Sequence, residues 1–205
     1  IGSIKHKKIK YLVGLISELL ITTCILTLYH QYGLTYNLLF KSLLILAFFS
    51  LAVIDLNSRR LPNHLIFTMI YILLFMMPFW NVIGYERSIF DLNGYMGSII
   101  NTGFTAIGLV LFGVGVYYGY PCSIGGGDIK LIAVIGLLFG FPDALIVIYL
   151  SIMAGGVFSV IKMIVSKNIR SVVIPFGTIL SSASVFLIIC HNELSQYMNL
   201  LFRAH

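Results

Sequence analysis

Apolar runs of about 20 residues recur along nearly the whole chain, and each is long enough to cross the hydrocarbon core of a bilayer. Composition agrees: of 205 residues, 59% are hydrophobic and only 10% charged, against roughly 25% charged in soluble domains. Mean hydropathy is +1.00. The expected fold is therefore all-α, a polytopic integral membrane bundle of about seven transmembrane or membrane-inserted helices. We read one domain, 1–205, with a basic cytoplasmic tract (1–10), a helical bundle (11–191) and a tail (192–205). The net charge of +6 does not point to nucleic acid, because basic residues in such chains mostly mark cytoplasmic loops. Cys24, Cys122 and Cys190 form no C-x-x-C pair, so neither a zinc site nor a disulfide framework is indicated. No metal and no cofactor are expected.

In order, Lys5, Lys7, Lys8 and Lys10 precede a first span at about 11–30, and a second runs from about 38 to 56. A polar, basic loop with Arg59 and Arg60 leads to a third span, about 65–83, where Pro78 and Trp80 suit an interfacial helix end. A loop with Glu86, Arg87 and Asp91 separates this from a fourth span, about 96–118. The loop 119–127 delivers the chain to Asp128 and a short helix that stops near Gly140. A sixth span, about 144–165, is closed by Lys167 to Arg170. The last, about 178–191, follows Ile174-Pro175-Phe176-Gly177 and runs into an amphipathic tail.

Two aspartates stand out. Asp128 follows three consecutive glycines, Gly125 to Gly127, and opens an apolar helix. Glycines let a neighbouring backbone come close. An ionisable group at the mouth of a membrane helix is costly to bury and so points to function. Asp is also a good N-cap, and for a lone Asp that reading is the simpler one. Asp55, ending the second span, supplies a partner. Between Asp55 and Asp128 the chain crosses the bilayer twice, so both carboxylates return to one membrane face, near the interface.

Paired carboxylates suit peptide hydrolysis without a metal or a nucleophilic side chain. Like charges a few ångström apart do not both ionise easily, so the pair shares a proton. The ionised member can take a proton from water as it attacks the carbonyl, and the protonated one can polarise the carbonyl oxygen. Which aspartate does which is a property of the pair. His64 lies near Asp55 in sequence but reads as an ordinary interfacial residue.

Gly125-Gly126-Gly127-Asp128-Ile129-Lys130-Leu131 resembles the G-x-G-D signature of type IV prepilin peptidases, intramembrane aspartic proteases. Ile54-Asp55-Leu56 with Leu61-Pro62-Asn63 is similar to that family's first-aspartate block, and Ile174-Pro175-Phe176-Gly177 to its I-P-F-G motif. Glu18 resembles the glutamate those proteins carry in a span after their cytoplasmic loop. The resemblance implies a membrane aspartic endopeptidase with Asp55 and Asp128 as the catalytic pair. It implies supporting or substrate-binding roles for Gly125, Gly127, Lys130, Pro175, Phe176, Gly177 and Glu18. The implied substrates are prepilins or pseudopilins with a short basic leader before a hydrophobic helix. Many family members also carry paired C-x-x-C motifs and methylate the new N-terminus. This sequence has only the basic tract ahead of its first span and so resembles the compact, peptidase-only members, and the resemblance does not extend to methyltransferase activity.

Plainer readings stand beside these. Glu18 suits either a hydrogen bond inside the bundle or a role near the site. Lys130, Lys41 and Lys162 suit snorkelling to headgroups. Pro175 and Gly177 either break the chain before the last span or leave backbone open to a substrate strand. The aromatic residues face lipid or core. The runner-up function is a secondary transporter using intramembrane carboxylates, although such groups usually lie near the midplane between inverted repeats. A scaffold with two capped helices is a third. With the basic N-terminus inside, ten of the thirteen basic residues fall on the inner side, all but Lys41, Arg87 and Arg203. The positive-inside rule then turns the aspartates to the cytoplasm, and the family resemblance implies that the protein lies in the cell (inner or plasma) membrane, among its lipids.

Overall fold

A computed structural model describes residues 2–58, 61–80, 95–119, 124–166 and 175–203; side chains are described within 17–191 of these ranges, apart from residues 95, 165 and 166. Arg59, Arg60, Glu86, Arg87, Asp91, Cys122, Lys167, Arg170 and Ile174 lie outside the described residues, as do the side chains of the N-terminal lysines and of the tail. The described residues are helical with no strand. Seven α-helices follow in order: α1 Gly2–Tyr32, α2 Tyr36–Ser58, α3 Asn63–Met76, α4 Tyr95–Gly119, α5 Gly126–Phe139, α6 Asp143–Ser166 and α7 Phe176–Arg203. A 3₁₀ turn, Met77–Phe79, continues α3.

Helix α2 and the described stretches Met96–Gly119 of α4 and Asp143–Ile164 of α6 are long and apolar enough to cross a membrane. At about 1.5 Å per residue each exceeds the roughly 30 Å hydrocarbon thickness. The stretches Asn63–Phe79 and Phe176–His191 are shorter and apolar. The protein is thus a helical membrane bundle. The last helix does not stop where the final apolar run ends, since α7 continues through the amphipathic tail to Arg203.

The chain forms two compact units. The first holds Ile1–Leu46 and Ile188–His205. Its buried side chains include Leu28, Leu38, Phe40, Leu44 and Ile45, and among them is Lys41, only 2% exposed. The expectation that Lys41 snorkels is therefore corrected. Its ammonium hydrogen-bonds the Tyr32 hydroxyl and lies 3.7 Å from the centre of the Tyr32 ring. A π-face and a hydroxyl give a buried cation what water would otherwise supply.

The second unit, Ala47–Leu187, is built around α5. Half of this 14-residue helix is buried: Leu131, Ile132, Val134, Ile135, Gly136, Leu138 and Phe139. It packs mainly on α4 and also on α3 and α6. Lipid tails are as apolar as leucine, so helices in a membrane associate by close packing rather than by escaping water. Gly136 provides that closeness. A Cβ there would lie 2.6 Å from Ala106 Cα and 2.9 Å from its nitrogen. From α3, Ile66, Met69 and Leu73 are buried at helical spacing. The buried hydroxyls of Thr105, Ser151 and Ser184 donate to carbonyls one turn back in their own helices, so no partner is needed from the apolar surroundings. Asn101 on α4 holds the turn after α5. Its Oδ1 accepts from the Phe141 N–H and its Nδ2 donates to the Phe141 carbonyl, both at 2.9 Å. Trp80, at the end of the 3₁₀ turn that carries Pro78, is 1% exposed.

Candidate active site

Asp128 lies in the first turn of α5, ahead of that helix's apolar run and outside the three long spans. It is not itself the N-cap. Gly125 holds that position, and Asp128 stands three residues on. The Asp128 N–H donates to the Gly125 carbonyl at 3.0 Å, and the Gly125 N–H donates to Asp128 Oδ2 at 3.3 Å. The expectation that Asp128 is the N-cap is therefore corrected: it supports the cap from the third helical position, through Oδ2 alone. Burial pushes the Asp128 carboxyl up from 3.8 to about 6, with the negative charge of Asp55 adding to the rise and the Gly125 hydrogen bond opposing it.

Asp55 lies one turn from the end of α2 and is 5% exposed. It is held across the fold. The Thr178 N–H donates to Asp55 Oδ2 at 2.7 Å, and the Thr178 hydroxyl donates to the same oxygen at 3.0 Å. Thr178 is in the first turn of α7, where backbone N–H groups have no partner within their own helix. The positive end of that helix's dipole meets the carboxylate.

Gly177 shows how near the two aspartates are. A Cβ built on it would lie 3.0 Å from Asp55 Oδ2, 3.2 Å from Asp128 Oδ1 and 3.1 Å from Leu61 Cδ1. Both carboxylate oxygens therefore flank one small space beside a glycine, no further apart than the sum of their two distances. A side chain at this position would fill that space, which is why the first turn of α7 carries none there. Leu61, half-buried, also stands over Gly127, whose Cβ would lie 3.2 Å from Leu61 Cβ. The value of the glycines here is room for neighbours rather than unusual backbone: Gly125 has an ordinary φ of −75°.

Of the expected site residues, the structure brings together Asp55, Asp128, Gly125, Gly127 and Gly177. Lys130 does not snorkel freely. Its ammonium donates to Asn63 Oδ1 at 2.8 Å and lies 5.3 Å from the centre of the Phe67 ring, tying α5 to the start of α3. Pro175 and Phe176 are half-buried immediately before Gly177. Glu18 is exposed on α1, in the first unit. Sequence reasoning passed over Thr178 and treated Leu61 only as part of a motif. A hydroxyl residue in the first turn of a helix, with an unmatched carboxylate due at the same membrane face, was the signal available for Thr178. Among the described residues no cluster of three or more His, Cys, Asp or Glu side chains is placed to hold a metal.

The carboxylate pair can be set beside known proteins. The chain is 28% identical over 162 residues to a prepilin leader peptidase/N-methyltransferase of Legionella pneumophila, covering 77% of this chain and 53% of that protein. It is 26% identical over 148 residues to the like-named protein of Bacillus subtilis (strain 168), covering 71% of this chain and 52% of that one. The chain spans about half the length of the curated relatives it matches. No solved structure matches it. The model of the type IV leader peptidase family matches residues 42–160, a stretch that holds both aspartates. With more than half of its residues in that match, the chain belongs to the type IV leader peptidase family.

Proposed function

We propose that this protein is a membrane aspartic endopeptidase that removes the short basic leader from type IV prepilins or pilin-like proteins at the cytoplasmic face of the cell membrane. The observation that carries the reading is the meeting of Asp55 and Asp128 beside Gly177. The names of the relatives support it. The proposal covers the peptidase step alone.

Peptide hydrolysis needs a base for the attacking water and an acid for the carbonyl oxygen and the leaving amine. Asp55 Oδ2 is occupied as the acceptor of two hydrogen bonds, which suits Asp55 to the role of base. Asp128 keeps its proton to a higher pH than an ordinary aspartate, which suits it to the role of acid. A substrate helix has its peptide groups tied up in its own hydrogen bonds. It must be unwound before a carbonyl can reach the pair, and the exposed Gly125 and Gly126 leave the margin of the site open to such a strand.

The test is cleavage of a prepilin-like peptide, with a basic leader ahead of a hydrophobic helix, by the purified full chain in lipid or detergent. A leader-sized fragment is expected from the native protein and none from Asp55→Asn or Asp128→Asn. Asn preserves shape and still caps a helix, so both variants should insert and fold. Robust cleavage by either would remove the dyad.

A further inference from the structure

We propose that Thr178 is the positioning residue for Asp55, its hydroxyl fixing the plane in which that carboxylate faces Asp128. The proposal rests on the dyad reading above and adds to it the group that holds one arm of the dyad still.

A carboxylate turns about a soft terminal torsion with no sharp rotamer wells. A catalytic pair, in contrast, must be held to within roughly 0.5 Å of its productive geometry. One hydrogen bond to an oxygen leaves the plane free to swing about that contact. Asp55 Oδ2 has two, from donors that differ in position on one residue: the Thr178 backbone N–H at 2.7 Å and its Oγ1 at 3.0 Å. The hydroxyl has one hydrogen to give, and the Ala52 carbonyl, one turn before Asp55 on α2, is its longer alternative acceptor at 3.3 Å. Thr178 thus lies across the last turns of α2 with its two oxygen contacts three residues apart.

The two arms are held differently. Asp128 is restrained by its own helix, through one longer contact from Gly125 at 3.3 Å. Among the described residues the hydrogen bonds to Asp55 come from another helix, over a sequence separation of 123 residues. The same short stretch lies beside both arms, because a Cβ added at Gly177 would meet both carboxylates, at 3.0 and 3.2 Å, and Thr178 follows it. Thr178 touches no reacting atom in this arrangement and acts through Asp55.

The competing account is that Thr178 only staples α7 to α2. The experiment compares Thr178→Val, which keeps shape and the N–H bond but loses the hydroxyl, with Thr178→Ser, which keeps the hydroxyl. Each is assayed as the full chain with the prepilin-like peptide, alongside its thermal unfolding midpoint in detergent and alongside Asp55→Asn. For Thr178→Val, kcat should fall about tenfold to a hundredfold, the worth of one hydrogen bond to a carboxylate. KM and the unfolding midpoint should stay near native, and Thr178→Ser should restore most of kcat. Should the valine variant fold poorly, Thr178→Ala, which crowds nothing, gives the same comparison with serine. Native kcat in Thr178→Val or Thr178→Ala, or a serine variant as slow as valine, overturns the proposal. A midpoint that falls in step with kcat also overturns it, in favour of the staple. If Asp55→Asn is inactive in that assay, the dyad survives such a failure; if Asp55→Asn cleaves, both readings fall together.

Discussion

Replacing Gly177 by alanine adds one methyl at the point where the two carboxylates come nearest to α7. Its Cβ would lie 3.0 Å from Asp55 Oδ2, 3.1 Å from Leu61 Cδ1 and 3.2 Å from Asp128 Oδ1, where ordinary contact begins at 3.4 Å. Leu61 offers the far end of a flexible side chain and can step aside at little cost. Each carboxylate must instead retreat by a few tenths of an ångström, and in different directions. Lifting the backbone away gives no easy escape, because Thr178 follows Gly177 and its N–H would be drawn off Asp55 Oδ2. Overpacking of this size costs about 1–3 kcal/mol of stability. Its effect on chemistry is larger in proportion, since misplacement on the order of 1 Å costs about a hundredfold in rate. We therefore expect Gly177→Ala to lose about ten- to a hundredfold in kcat while remaining folded. The assay is steady-state cleavage of the prepilin-like peptide, with thermal unfolding in detergent measured on the same preparation. Gly156→Ala on α6 is the control, because a Cβ there meets nothing within 4 Å. Native kcat in Gly177→Ala would refute the geometry from which the dyad is argued.

Three further outcomes are expected. Asp128 has its carboxyl raised to about 6, so it holds its proton below that pH and loses it above. If it is the acid, kcat/KM falls as pH rises through about 6, and a profile that stays flat from there to pH 8 would contradict that role. In stability the same raised value acts between 3.8 and about 6: the folded state holds the proton more tightly, an advantage present at low pH and lost as pH rises through the folded value. Gly136→Ala should force α4 and α5 apart, because its Cβ meets backbone at 2.6 Å; a clear drop in unfolding midpoint, worth about 1–3 kcal/mol or more, is expected, and an unchanged midpoint would show that the helices do not pack this closely. The proposed cytoplasmic orientation predicts that a membrane-impermeant thiol reagent labels Cys122 in inverted vesicles and not in intact cells. Labelling from outside alone reverses the orientation.

Much of this protein was legible without coordinates, and for one reason. Lipid imposes strong constraints on sequence: spans must be about 20 apolar residues, polar groups must be few, and crossings can be counted. The helical class followed from that, as did the end of α5 near Gly140, where the chain adopts a positive φ of 62°. So did the expectation of Asp55 and Asp128 at one face, and the motif around Gly177 marked the turn where they meet. What lay beyond the sequence is what depends on which faces of those helices touch. Lys41 reads like any lysine near a helix end until Tyr32 covers it. Lys130 reads as a snorkelling side chain until α3 brings Asn63 to it. Asp128 beside a cap and Asp128 as half of the proposed dyad are indistinguishable along the chain, and only the approach of α7 brings its second oxygen to the space that Asp55 also borders. Thr178 carried only an ambiguous signal, since any hydroxyl residue in a first turn can satisfy itself locally. Its role arises from a carboxylate 123 residues away in sequence, and helix packing alone decides that such a pair shall meet.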